Sequence, residues 1–466
     1  MIPGGVQILN VGLPLIVEGA PAGAVLQLDW RPPAFGDADA ARLAVGLDTE
    51  ATRSANEKAI AAVQSTRGKL VAVRPAREVV PGIADGRVLL HAGPPIEVAR
   101  MCGPMRGALI GAALFEEWAA DPTEAAELID SGAIRVEPCH HHGAVGPMAG
   151  VLAPSMPVFV VSEGESLGDG RSAFASLNEG LGKVLRFGAY DAEVITRLRW
   201  MRDILGPALD EALAVSGPID VSSLIAQALA MGDEGHNRNV AATSLLTRRL
   251  APIIAALTPN DRAVAVLRFL AGNDHFALNL SMANAKLAMD AAIGIEDSTL
   301  VTAMSRNGVE FGLRVAGSGD RWFTAEVGPA DGLFFPGYGP EQANPDLGDS
   351  AITETLGLGG FAMAASPAIT QFVGGTPADA IAATTSMRRI TLGQHPAFPL
   401  PPMNFAGAPS GIDILKVLET GVLPVINTGI AHREAGVGQI GAGIVTAPPE
   451  VFLKAVRYLA EQRASR

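Results

Sequence analysis

One short run carries a thiol and three imidazoles: Glu137-Pro138-Cys139-His140-His141-His142-Gly143, which holds three of the eight histidines in the chain. Imidazole titrates near neutral pH and suits general acid/base work, so His140 and His141 are candidate catalytic residues. In an extended segment, Cys139 and His141 would share one face and His140 and His142 the other, so all four cannot meet one ligand. Cys139 and His141, with His91 after another predicted strand, are also the candidates for a divalent metal. Neither a C-x-x-C pair nor an H-x-x-x-H helix accompanies them, and ordinary loop-ordering hydrogen bonds are the plain alternative.

Two further loops combine charges with glycine. Met231-Gly232-Asp233-Glu234-Gly235-His236-Asn237-Arg238-Asn239 interrupts a helical pattern; His236 is a catalytic candidate and Arg238 an anion-binding one, against the alternative of a solvated capping turn. Asn427 to Gly443 contains His432 and Glu434, candidate proton carriers, and Gly436, Gly438 and Gly441 fit G-x-G-x-x-G literally. No helix follows directly, so a backbone amide nest around Asn427, Gly438, Gly441 and Gly443 is the better expectation, with tight-turn scaffolding as its alternative. Asn178-Glu179-Gly180-Leu181-Gly182-Lys183 sets a lysine after glycines and could hold an oxyanion. Arg306 ends a predicted strand and could clamp a carboxylate. Asp349 to Thr355, with Glu354, has the form of an anion-accepting helix start.

The elements that must position these loops read as α/β and α+β, arranged in several domains. Residues 1–80 form a small Rossmann-like β-α-β unit: strand Val6 to Val11, a short helix or loop over Gly12 to Ala22, and strand Ala24 to Trp30, without the dinucleotide-binding turn. Residues 85–188 form an α/β domain with the Cys/His loop, including a helix opened by Asp121-Pro122-Thr123-Glu124. Residues 189–297 read as a helical subdomain inserted in this mixed core, with starts at Asp220 and Thr258-Pro259. Residues 298–466 form a glycine-rich α+β domain ending in helix Pro449 to Gln462.

At 466 residues the chain exceeds one hydrophobic core, and 48% hydrophobic against 18% charged residues implies subunit interfaces, so a homo- or hetero-oligomer is expected. A net charge of -13 and no dense basic stripe argue against nucleic acid. Two cysteines, no signal-peptide pattern and apolar runs far short of a spanning helix predict a cytoplasmic protein with no membrane span.

Long runs from about residue 85 to 463 carry a resemblance: His91-Ala92-Gly93-Pro94-Pro95, Pro138-Cys139-His140-His141, Leu177-Asn178-Glu179-Gly180, Arg186-Phe187-Gly188-Ala189-Tyr190, Met231-Gly232-Asp233-Glu234, Gly348-Asp349-Ser350-Ala351-Ile352-Thr353-Glu354-Thr355 and Asn427 to Gly443. They resemble the YlbE-like family, formerly a domain of unknown function, which includes AllG, a subunit of the bacterial oxamate carbamoyltransferase. The resemblance implies phosphorolysis of oxalurate to oxamate and carbamoyl phosphate in allantoin catabolism, with subunits of the AllF (FdrA) and AllH types as partners. Inorganic phosphate or carbamoyl phosphate is then the co-substrate and a ureide or carboxylate the small-molecule ligand. His142 and Gly235 depart from AllG, and Asn10 to Leu13 with Asp29 to Pro33 look like a front unit AllG lacks, which leaves other ureides open as substrate. On this reading His140 or His141 works with His432 at the scissile C–N bond. Arg238 and Arg306 hold the carboxylate, and Lys183 with the Gly438–Gly443 nest holds phosphate. A metal-dependent ureide amidohydrolase and a non-catalytic scaffold subunit are the alternatives.

Overall fold

A computed structural model describes residues 8–11, 17, 19–21, 24–28 and 30–466. Strands Ile8–Val11 and Val25–Leu28 pair in parallel, as a β-α-β unit requires. The expected helix or loop over Gly12 to Ala22 and the turn at Asp29 lie largely outside the described residues.

The chain is a mixed α/β protein with several sheets and more than one apolar core. Strand Lys69–Pro75 runs antiparallel to Pro157–Ser162 in a five-stranded sheet, which Ile219–Asp220 extends at one edge. Val88–His91 and Arg135–Pro138 form a parallel pair with His91 opposite Pro138, so His91 stands beside the Cys/His run. Two helices cross between them, Gly103–Phe115 and Pro122–Asp130. The second starts where its sequence dictates: the Asp121 carboxylate accepts from Thr123 N at 2.8 Å and Glu124 N at 2.9 Å, and Pro122 needs no donor there.

Six helices fill residues 192–290, and the Asp220 start is capped by its own side chain, which accepts from Ser223 N. Their apolar faces and the sheet close one core, in which Leu70, Val73, Phe159 and Val161 meet Leu205, Leu209, Leu246, Leu250, Phe276 and Leu280. Each such side chain stabilises the fold by roughly 1.5–3 kcal/mol on burial. That core runs across the sequence positions 80, 188 and 297. Helix Val240–Leu257 is long and apolar enough by length and composition to cross a membrane, yet it carries Arg248, Arg249 and Pro252, and its Leu246, Leu250 and Ile254 pack into this core. Helix Phe276–Asp290 is buried on every side from Phe276 to Met289, which its lack of a polar face anticipates.

Strands Val301–Asn307, Glu310–Val315 and Phe323–Glu326 form an antiparallel meander over a second core with helix Pro449–Ala464. The glycine run after Asn427 is strand rather than loop for much of its length: Val425–Ala431 pairs with Gln439–Thr446, which also pairs with Asp331–Phe334. Glycine is required there because a Cβ on Gly441 or Gly443 would sit 2.4 or 2.3 Å from the carbonyls of Leu333 and Asp331.

Candidate functional site

The loop between helices Val221–Ala230 and Val240–Leu257 is folded around one carboxylate. Glu234 accepts backbone N–H bonds from His236 (2.7 Å), Asn237 (2.5 Å) and Arg238 (2.8 Å), so three successive residues are held by a buried side chain. Burial pushes the Glu234 carboxyl up to about 7, with the nearby His236 imidazole opposing the rise and Glu354 adding to it. Asn239 Nδ2 donates to the His236 carbonyl at 2.6 Å and locks the other end of the turn.

His236 is oriented from the opposite side. Its Nδ1 lies 2.8 and 2.9 Å from the two oxygens of Glu354, on the short helix Ile352–Leu356. Glu354 also accepts from Gly360 N, Asn427 N and the Thr353 hydroxyl, so the carboxylate is fixed before it meets the imidazole. A carboxylate on Nδ1 selects the tautomer that leaves Nε2 to act as base, and it stabilises the imidazolium that results.

Nε2 has no hydrogen-bond partner among the described residues, and the ring lines a cavity of about 290 Å³. Arg186, Arg238, His275, Ser350 and Gln439 line the same cavity. Arg238 and Arg186 each keep a buried Nε without a hydrogen-bond partner. Asp233 stands 3.7 Å from Arg238 Nε, too far to satisfy it. Burial lowers the His275 imidazole to about 4, and the Arg186 guanidinium and His236 push it the same way. Met148, also on the wall, holds a left-handed φ of 56°, and Gly348 must be glycine because its Cβ would come within 2.6 Å of Met148 N. The arrangement can orient a small anion between two guanidiniums and move one proton at His236 Nε2.

Of the residues singled out in the sequence, His236 and Arg238 line one cavity, and Glu354 stands behind His236, where it supplies a carboxylate to Nδ1 instead of opening an anion site. Asn427 lies next to them through its backbone N–H on Glu354, with both amide atoms of its buried side chain unpartnered. The other candidates lie elsewhere. The Cys139–His142 run is a 3-10 turn, not an extended segment, so its side chains fan out. Cys139 donates to the Gly150 carbonyl, and burial raises its thiol well above the ordinary range. His140 faces Asp349 at 3.4 Å, and burial holds it neutral-leaning. His141 accepts from the Trp322 indole at 3.0 Å, and burial and the Arg314 charge lower it to about 4. His91 Nδ1 is 2.7 Å from the Ala92 carbonyl. Cys139, His141 and His91 therefore do not converge on a metal, and among the described residues no group of three or more His, Cys, Asp or Glu side chains is placed to hold one.

His432 sits apart from the cavity lining, with Nδ1 accepting from Glu434 N at 3.0 Å; the Glu434 side chain is exposed. Arg306 is not a substrate clamp: it is fully buried, bonded at 2.7 Å to Asp346, at 2.8 Å to the Gly348 carbonyl and at 3.3 Å to Thr428. Lys183 points outward to an ion pair with Asp191. Asn178 and Glu179 spend their polar atoms on Asn279 and Gly180, and on Leu185 N and Arg186 N, shaping a loop that turns Arg186 inward. Gly441 and Gly443 are paired to strands on both sides, so they form no amide nest with Gly438, whose carbonyl accepts from His432 N. Sequence reasoning missed Arg186 and His275 as site residues. The polar Asn273-Asp274-His275 break between two helices was the available signal for the second.

A carboxylate-oriented histidine and two arginines share one cavity on a mixed α/β scaffold, an arrangement that suits a small anionic ligand. The chain belongs to the family of the oxamate carbamoyltransferase subunit AllG, whose family model matches residues 134–350. It is 50% identical over 410 residues to oxamate carbamoyltransferase subunit AllG of Escherichia coli (strain K12), covering 87% of this chain and 97% of that one. It is 46% identical over 457 residues to the uncharacterized protein YahG of the same organism, covering 97% and 96%. A crystal structure of a conserved protein of unknown function from Enterococcus faecalis V583 superposes with a TM-score of 0.85 at 47% identity, covering 88% of this chain and 98% of that one.

Proposed function

We propose that this chain carries the carbamoyl-transfer site of an oxamate carbamoyltransferase-type complex acting on a small carboxylate-bearing ureide of the oxalurate kind. The carrying observation is His236, held at Nδ1 by Glu354 and open at Nε2 to a cavity flanked by Arg238 and Arg186. In the forward step a phosphate oxygen attacks the carbamoyl carbon, and the bond from that carbon to the oxamate nitrogen breaks. His236 Nε2 takes the phosphate proton and delivers it to the leaving nitrogen, giving carbamoyl phosphate and oxamate. Arg238 holds the substrate carboxylate. This reading moves the proton carrier from His140, His141 and His432 to His236. Membership in the AllG family supports assembly with other subunits, for which AllF (FdrA)-type and AllH-type chains are the proposed partners.

The test is phosphate-dependent oxalurate cleavage by the chain assembled with those partners. His236→Ala is expected to reduce turnover by about 10²–10⁴-fold, while His141→Ala retains it. Full activity in His236→Ala would overturn the assignment.

A further inference from the structure

Arg186 stands out in the cavity wall because its charge is buried and unmatched. The residue is 7% exposed. One Nη2 N–H donates to the Gly180 carbonyl at 2.7 Å, and Nε has no partner. The Glu179 carboxylate is the nearest opposite charge, but it makes no ion pair with Arg186, and its oxygens already accept from the backbone N–H groups of Leu185 and Arg186. Phe187 lies under the guanidinium at 5.2 Å, which stacks it without neutralising it. A buried guanidinium with no ion-pair partner is costly, and Arg186 lines a cavity large enough for a ligand. His275 lines the same cavity as Arg186 and His236, and the charges of both act on it.

We propose that Arg186 and His275 form an oxyanion subsite that takes inorganic phosphate beside His236, separate from the carboxylate position at Arg238. This rests on the proposed carbamoyl transfer and assigns its second reactant a place. Charge favours this division. Arg238 is partly offset by Asp233 at 3.7 Å and suits a monoanionic carboxylate. Arg186 feels Glu179 only at longer range, with that carboxylate already committed to backbone N–H groups, and Coulomb attraction scales with ligand charge, so Arg186 favours the phosphate dianion. An anion there also offsets the Arg186 charge that, after burial, helps hold His275 neutral, and the ring is placed on the same wall to donate to the same ligand.

The experiment is calorimetric titration of inorganic phosphate into the full chain, alone and with saturating oxamate. Phosphate is expected to bind in both conditions, because the subsites are separate. Arg186→Gln is expected to weaken phosphate by about tenfold or more, and His275→Asn by a smaller factor. Lys183→Met, which breaks only an exposed ion pair with Asp191, should leave phosphate affinity within about twofold. If Arg186→Gln fails to fold, His275→Asn carries the test by itself. Unchanged phosphate affinity in the folded variants overturns the subsite, and so does mutual exclusion of phosphate and oxamate. Phosphate binding as described without oxalurate cleavage by the assembled complex would instead reject the proposed transfer and leave the subsite standing.

Discussion

Both oxygens of Glu354 lie within hydrogen-bonding distance of His236 Nδ1, at 2.8 and 2.9 Å, in a region where neither residue touches bulk water. Glu354→Gln keeps an acceptor but removes the charge that stabilises an imidazolium. A fall in kcat of about 10²-fold with little change in KM is expected. An equal rise in KM with kcat intact would mean that Glu354 serves ligand binding instead.

Gly359 controls the same pair from behind. Its φ is 56°, and a Cβ would lie 1.9 Å from Glu354 Oε1 and 3.0 Å from His236 Cβ. Gly359→Ala should therefore abolish most activity without touching a ligand. Gly217→Ala, at φ 69° with open space around it, is the matched control and should cost only about 1 kcal/mol of stability, read by thermal melting. Equal activity in the two variants contradicts the role of Gly359.

Arg306, on strand Val301–Asn307, and Arg238, in the loop before helix Val240–Leu257, separate by their burial. Arg306→Met strands the Asp346 carboxylate in the interior and should cost about 3–5 kcal/mol in a denaturant melt. Arg238→Gln should leave the melt unchanged and raise KM by roughly tenfold. Lys183→Met, which breaks only an exposed ion pair, should alter neither. Normal stability in Arg306→Met is the outcome that speaks against a structural ion pair.

His275 makes stability depend on acid. Unfolded, its imidazole binds a proton near 6.5; folded, burial and the Arg186 charge lower that to about 4. Above the unfolded value both states are neutral and the residue contributes no pH dependence. As pH falls toward about 4, only the unfolded chain takes up the proton, and stability drops. The wild type should therefore lose up to about 3 kcal/mol more than His275→Asn between these limits. Parallel stability curves for the two proteins would refute the shift.

What the sequence disclosed followed local rules. The Asp121 and Asp220 helix starts are capping chemistry within four residues, and the strands around Lys69 and Phe311 are short-range apolar patterns. The pairing of His236 with Glu354 spans 118 positions, and no local pattern encodes such a distance. The Cys139–His142 run misled because histidine type was legible while the turn geometry that scatters the side chains was not. Lys183 and Arg186, three positions apart, show the same limit: direction inward or outward is decided by Glu179 bonding the backbone amides of Leu185 and Arg186 within an irregular loop, which no periodicity reveals. The glycines at 441 and 443 resembled a ligand-binding turn and are instead the close-contact points of a crowded strand.

Helix Phe276–Asp290, buried from Phe276 to Met289, begins one residue after His275. Its amides can exchange with solvent only when the surrounding core opens, so this wall of the cavity behaves as a fixed post on the timescale of turnover. Ligand must then enter and leave past the exposed part of the lining. There the exposed Leu181 sits at the rim between Gly180 and Gly182, both at positive φ. Stiffening those two glycines is expected to slow exchange of ligand while leaving the His236 chemistry intact.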